Sequence, residues 1–248
     1  MKTIIRNTII LSALSAAFII GSSSCFRIAK DNFRAGFTAG MEDYGQQVTT
    51  PVEVTDSFFS IDTYTTTDIE YVNGPVSVTL TAPEKIIGKI EVKVENGTLK
   101  VGIPDKEDNR NLGMIKSTLV VSAPGVNKFI STGTGDIDIK GAESKEIVLN
   151  TTGTGDIDVS RANCVKFTAN TSGTGDIEAE YVNCTIAELN TSGTGDIEIK
   201  RISAEKISGM SSGTGDIEVK GECDQVNISK SGIGSVNTRG LEIRTTEE

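Results

Sequence analysis

Ten carboxylates recur in this chain at a fixed step. Asp136, Asp156, Asp176, Asp196 and Asp216 stand 20 residues apart, and Asp138, Asp158, Glu178, Glu198 and Glu218 each follow two residues later. Paired carboxylates suit three chemistries. They ligate calcium, which takes six to eight oxygens. They cleave glycosidic bonds, one carboxyl as acid and its partner as base or nucleophile. Or they form a charged face that a partner reads. A catalytic pair is a single unlike constellation, whereas this pair occurs five times over. That repetition favours a displayed surface over an active site.

What the chain lacks narrows the choice further. It has no histidine, which removes Ser-His-Asp and Cys-His nucleophile pairs, HExxH zinc sites and imidazole ligands. It has no tryptophan and is only 5% aromatic, so stacking platforms for sugars or single-stranded nucleic acid lack material. Acidic residues outnumber basic ones, 34 to 24, and no basic cluster stands ready to neutralise phosphates. Nucleic acid is therefore not an expected partner.

The carboxylates sit inside near-copies of one phrase. These read STGTGDIDIK from Ser131, TTGTGDIDVS from Thr151, TSGTGDIEAE from Thr171, TSGTGDIEIK from Thr191 and SSGTGDIEVK from Ser211, with a worn copy, SGIGSVN, from Ser231. A constant period of this size marks a solenoid, in which each repeat is one turn of a coil. Taking 131–150 as a template, Asp136 to Lys140 alternates with period two, which predicts a strand with Ile137 and Ile139 inward and Asp136, Asp138 and Lys140 outward. Gly141 breaks it, and Glu146 to Asn150 is a second strand. Thr132 to Gly135 is a tight corner, where glycine is expected to supply positive φ.

Inward columns persist from coil to coil. One holds Ile137, Ile157, Ile177, Ile197 and Ile217; the next Ile139, Val159, Ala179, Ile199 and Val219; a third Ile147, Phe167, Ala187, Ile207 and Val226. Strands stacked this way pair in parallel, about 4.8 Å apart. The predicted fold is all-β, a parallel β-helix (β-solenoid) with 20-residue coils. A coil that buries its aliphatic face only against its neighbours cannot fold alone, so the array is expected to be cooperative. Upstream, strands are expected at 58–64, 68–71, 76–81, 86–94, 99–103 and 117–122, with Asn96-Gly97 as a hairpin turn and 104–113 as an exposed excursion. We read 48–130 as irregular earlier coils of the same solenoid and 131–244 as the regular repeats.

Several side chains have local structural readings. The first aspartate of each corner is expected to accept hydrogen bonds from the backbone of its own Gly-Thr-Gly segment, with Lys140, Lys200 and Lys220 relieving the charge. Stacked like charges about 5 Å apart otherwise repel by about 0.8 kcal/mol per neighbour in water. No cofactor is expected, although calcium held between stacked corners stays an alternative. Asn150, Asn170 and Asn190 predict a side-chain amide ladder. Cys164 and Cys184 occupy equivalent places on adjacent coils, with Cys223 near the same column. Stacked reduced thiols and a Cys164–Cys184 disulfide are both open at this point.

The N-terminus is a leader. Lys2 and Arg6 precede an apolar run from Thr8 to Ile20, too short to span a bilayer comfortably, and Gly21-Ser22-Ser23-Ser24-Cys25 follows. Small residues before a single cysteine resemble a bacterial lipobox of the looser Bacteroidetes type. Residues 1–24 are thus a lipoprotein signal peptide, Cys25 the lipidation (palmitate-bearing) site, 25–47 a lipidated tether and 48–244 the β-helix domain. The mature chain would be anchored to a membrane by its lipid.

These pieces together are similar to one family. A lipoprotein leader, a strand-rich opening with Val94-Glu95-Asn96-Gly97-Thr98-Leu99-Lys100-Val101-Gly102, a lead-in Ser122-Ala123-Pro124-Gly125-Val126 and serial GTGDI coils resemble the auto-transporter adhesin, head GIN-domain family of Bacteroidetes lipoproteins. The chain departs from that name in lacking a Gly-Ile-Asn tripeptide; its early strand region reads Asn73-Gly74-Pro75-Val76. The resemblance implies a β-helix without a catalytic set and a role in cell adhesion. We therefore expect a non-enzymatic lipoprotein of the outer membrane, a monomer whose acidic face meets a glycan or protein partner. The alternatives are a polysaccharide-active β-helix enzyme and a structural lipoprotein facing the periplasm.

Overall fold

The computed structural model describes residues 44–104 and 115–244. The leader, Cys25, the tether up to residue 43, residues 105–113 of the excursion and the last four residues of the chain lie outside the described residues.

The N-terminal part is laid down out of order. Its strands are β1 (Gln47–Pro51), β2 (Ser60–Thr63), β3 (Thr67–Val72), β4 (Ser77–Pro83), β5 (Glu91–Glu95), β6 (Thr98–Gly102), β7 (Ser117–Ser122), β8 (Lys128–Ser131) and β9 (Ile137–Ile139). The first strand thus starts at Gln47, one residue before the expected domain boundary. Within the segment expected as a strand over 86–94, Ile87–Lys89 is a 3-10 turn and only β5 is extended. β2 and β3 form a coil sandwiched between two others. Ile61 lies in parallel register between Leu99 of β6 and Phe129 of β8, and Ile69 between Leu119 of β7 and Ile137 of β9.

The irregular coils expected over 48–130 are not laid down in chain order. The chain builds this coil first, then doubles back beneath it before climbing. β4 lies antiparallel on β7, β1 antiparallel on β4, and β5 antiparallel on β6. The β5–β6 turn is the predicted one: Asn96 and Gly97 have φ of 52° and 73°, the left-handed pair that a tight hairpin demands. Antiparallel strands thus close the N-terminal end, where Tyr71 packs edge-on against Phe129 at 5.0 Å and donates its hydroxyl to the carbonyl of Ala123 at 2.9 Å.

From β9 onward the coils are regular and have three segments each, where the sequence pattern suggested two. The first continues with β10 (Ala142–Glu143) and β11 (Glu146–Thr151). The next holds β12 (Ile157–Val159), β13 (Ala162–Asn163) and β14 (Lys166–Thr171), and the third β15 (Ile177–Ala179), β16 (Val182–Asn183) and β17 (Ile186–Thr191). A two-residue strand is too short to display period two, so the middle segment leaves no alternation to read. In the last coils the segments merge into β18 (Ile197–Ser211) and β19 (Ile217–Lys230), and β20 (Val236–Ile243) closes the series.

The register is as predicted. Ile137, Ile157, Ile177, Ile197 and Ile217 pair in sequence along parallel strands, and all five are fully buried. Val226 keeps its register opposite Ile207, but it is 36% exposed because β20 covers only the first half of β19. Bulk is shared between neighbours: Phe167 stands over Ile147 and under Ala187, beside Ala169 in the adjoining column.

The corner glycines have a different cause from the one expected. None of those in the GTGD phrases has positive φ. Instead, a Cβ on Gly153, Gly155, Gly173 or Gly175 would come within 3.0 Å of a backbone carbonyl oxygen in the coil beneath, closer than real Cβ atoms approach. Glycine lets the corners stack at strand spacing. The corner of the sandwiched coil, Thr65-Thr66-Thr67, has no glycine at all, yet a Cβ on Gly133 or Gly135 above it would clash with its carbonyls.

Candidate functional site

The site is the outer face of the sheet formed by β3, β9, β12, β15 and the first parts of β18 and β19. Alternation along each short strand sends the isoleucines in, so the intervening carboxylates must point out. Asp138, Asp158, Glu178, Glu198 and Glu218 lie in register, one per coil. Glu70 extends the column below Asp138, and Asn237 ends it above Glu218.

The first carboxylate column is tied up differently from the local turn expected. Each aspartate accepts a hydrogen bond from the backbone N–H of its counterpart one coil further on, not from its own corner. Oδ1 of Asp136, Asp156, Asp176 and Asp196 accepts from the N–H of Asp156, Asp176, Asp196 and Asp216 at 2.9, 2.8, 2.8 and 2.7 Å. The chain of bonds begins at Asp68, which accepts from Asp136 N–H, and ends with Ser235 N–H donating to Asp216. Each charge thus sits on a backbone dipole, which offsets much of the repulsion between neighbours. Asp68 was missed in the sequence, although Asp68-Ile69-Glu70 repeats the DIE of later coils.

A second feature escaped the sequence reading. The first residue of each phrase is a buried hydroxyl that braces the corner from inside. Ser131, Thr151, Thr171, Thr191 and Ser211 donate to the carbonyl of the glycine four residues on, at 2.8–3.0 Å, and Thr63 does the same to Thr67 in the sandwiched coil at 2.7 Å. The signal was present as an invariable Ser or Thr at the head of every complete copy.

The second carboxylate column is free of backbone bonds and carries the electrostatics of the face. Lys200 bridges Glu178 and Glu180, the latter at 2.8 Å, and those two carboxylates hold its ammonium pKa above the usual lysine range. Lys220 pairs with Glu218 at 2.6 Å and lowers its pKa. Lys140 pairs with Asp138. Asp158 has no such lysine. Partial burial, then the charges of Glu178, Asp156, Asp138 and Asp136, raise its pKa above 3.8. The lysines therefore pair with Asp138, Glu178, Glu198 and Glu218 and leave Asp158 as the column's unneutralised member. Among the described residues, no three carboxylates or cysteines converge as a cation site.

The remaining candidates fall into place around this face. Asn170 Nδ2 donates to Asn150 Oδ1 at 2.9 Å and Asn190 Nδ2 to Asn170 Oδ1 at 3.0 Å, the predicted ladder. Cys164, Cys184 and Cys223 are free thiols. Cys184 is the more enclosed of the adjacent pair, and its hydrogen bond to Cys164 together with burial pushes its pKa up. Cys223 is in the same column but two coils from Cys184, with Ala204 on the coil between them.

Comparisons with known proteins agree with this geometry. The family model described as "Putative auto-transporter adhesin, head GIN domain" matches residues 57–186 and 170–247. A crystal structure of a putative adhesin from Bacteroides fragilis is 24% identical, with a TM-score of 0.64 over 77% of this chain and 96% of that one. A putative adhesin from Parabacteroides merdae is 17% identical, with a TM-score of 0.68 over 77% and 80%. A putative lipid binding protein from Parabacteroides distasonis is 20% identical, with a TM-score of 0.55 over 78% and 96%. At these identities the solved structures speak to the fold alone. No curated protein matches the sequence. With the family model spanning the sandwiched coil, the regular coils and the last strand alike, the chain belongs to the auto-transporter adhesin, head GIN-domain family.

Proposed function

We propose that the chain is a non-enzymatic lipoprotein of the bacterial cell envelope, an adhesin that presents the acidic face of its β-helix to a partner. The observation that carries this reading is the second carboxylate column: one outward acid per coil, in register over five coils. Uniform chemistry along a rigid axis suits extended binding. The family name and the leader over 1–24, followed by Cys25, support an envelope location with the lipid as anchor.

The test has two parts. Protease shaving of intact cells should remove the protein from the outer surface; full protection would place it facing the periplasm and end the adhesin reading. Beads coated with mature protein should be retained on glycan- or matrix-coated surfaces. Replacing Asp138, Asp158 and Glu198 by their amides should lower that retention. Unchanged retention, or cleavage of a uronic-acid polymer that one Asp→Asn change abolishes, would overturn the proposal.

A further inference from the structure

Beside the acidic face runs an edge of opposite character. It is the corner between the first and second segments of each coil, where Ser160-Arg161, Glu180-Tyr181 and Lys200-Arg201 stack on successive levels. Backbone bonds fix the stacking: Ala142 N–H donates to Arg161 O and Ala162 N–H to Tyr181 O, both at 2.9 Å. The guanidinium of Arg161 lies over the Tyr181 ring, 5.0 Å from its centroid. Arg201 follows one coil beyond Tyr181, since Val182 and Ile202 are register partners. These six residues line an open groove of about 540 Å³.

The arginines are anomalous in this chain. Acids outnumber bases 34 to 24, and the three lysines one position earlier in their coils all take carboxylate partners. Among the described residues, Arg161 and Arg201 take none. The lysines turn back over the acidic columns, whereas the arginines sit one residue on, at the bend. Two unpaired guanidinium forks flank one aromatic ring, with about 10 Å of stacked backbone between them. A guanidinium reads a carboxylate or sulfate with two parallel hydrogen bonds. With Arg161 over the face of its ring, Tyr181 offers a sugar its outer rim and hydroxyl. The base–ring–base order matches a saccharide that carries an anionic group on either side of one sugar ring.

We infer that this edge binds an anionic saccharide, with its acidic groups on Arg161 and Arg201 and its sugar ring against the outer rim of Tyr181 between them. The inference rests on the adhesin reading and moves the contact from the acidic face to the edge beside it.

Fluorescence polarisation of labelled oligosaccharides against mature protein tests it, with a sulfated heparin oligosaccharide, a carboxylated oligogalacturonate and a neutral malto-oligosaccharide as probes. At least one anionic probe should bind and the neutral one should not. Arg161→Gln, Arg201→Gln and Tyr181→Ala should each weaken binding about tenfold, and added salt should weaken it further. Lys206→Gln, an exposed base on another segment of the coil, should have no effect. Equal binding by the Arg161→Gln/Arg201→Gln protein would overturn the inference. So would failure of both anionic probes, or binding only to phosphatidylglycerol vesicles or an acidic peptide. Bead retention separates the two proposals. If it persists in the double arginine variant and falls in the amide variant, the acidic-face reading stands and the edge falls. If it falls in the arginine variant alone, the edge is the contact.

Discussion

At the residue scale, the side chains that matter most are those bonded between coils or across a corner. Thr171 is buried, and its hydroxyl is the partner of the Gly175 carbonyl at 2.9 Å. Thr171→Val keeps the shape but orphans that carbonyl, so urea denaturation should show a loss of about 1–3 kcal/mol. Asp176 makes a different prediction. Its Oδ1 accepts the Asp196 N–H at 2.8 Å. Asp176→Asn retains an acceptor and should leave stability near wild type, whereas Asp176→Ala removes it and should cost about 1–2 kcal/mol. Equal losses would mean that the charge, not the acceptor, matters. Asp158 contributes to the pH dependence of stability. Its pKa is raised in the native state by burial and by its acidic neighbours, so the folded protein holds that proton more tightly than the unfolded chain. Between 3.8 and the raised native value, this group's contribution to stability falls as pH rises, and it stays low above that interval. Asp158→Asn should therefore raise the midpoint of thermal unfolding at neutral pH and flatten its slope in the acid range.

At the element scale, the corner is the part with the least tolerance. A methyl group on Gly175 would collide with the Gly155 carbonyl, which is backbone and cannot swing aside. Gly175→Ala should cost more than about 3 kcal/mol or prevent folding. Gly141 also sits at a bend, but nothing lies within 4 Å of its added Cβ and its φ is not positive. Gly141→Ala should be neutral or stabilise by about 0.4–1 kcal/mol, through the unfolded chain. Thermal melts of the pair would separate close stacking from backbone conformation as the reason for glycine. The strands themselves were legible because period-two alternation sorts Ile137 from Asp138 without any tertiary information. The two-residue segment Ala142–Glu143 was not, since two residues carry no period. Nor was the cause of the corner glycines: a tight turn and a close approach by another coil select the same residue.

At the scale of the whole molecule, the coils are interchangeable units in a single ladder. Removing residues 171–190 would delete one period and bring the 151–170 coil against the 191–211 coil with every inward column intact. The shortened protein should keep its β-sheet circular dichroism and a single unfolding transition, with a lower midpoint. Loss of the transition would show that the coils are not equivalent. The same deletion removes Tyr181 and so should abolish saccharide binding at the edge, while leaving Arg161 and Arg201 in place. The two ends are not interchangeable. Antiparallel strands cover the N-terminal end, whereas at the other end Arg244 clamps the chain by pairing with Asp224 at 2.7 Å, leaving the second half of β19 uncovered.

The sequence by itself determined what is periodic: the parallel stacking, the inward aliphatic columns, the outward acids and the asparagine ladder. Each follows from one residue type recurring at one step, so a local pattern fixes a global neighbour. Only the tertiary structure decided what breaks the period. The placement of β2 and β3 between coils that come later in the chain, the antiparallel cover of the N-terminal end and the bond from each aspartate to the next coil all join segments by routes that no local alternation encodes. The Arg161–Tyr181–Arg201 edge lies between these cases. Its spacing is written in the repeat, but three unlike side chains become one surface only when successive coils lie directly above one another.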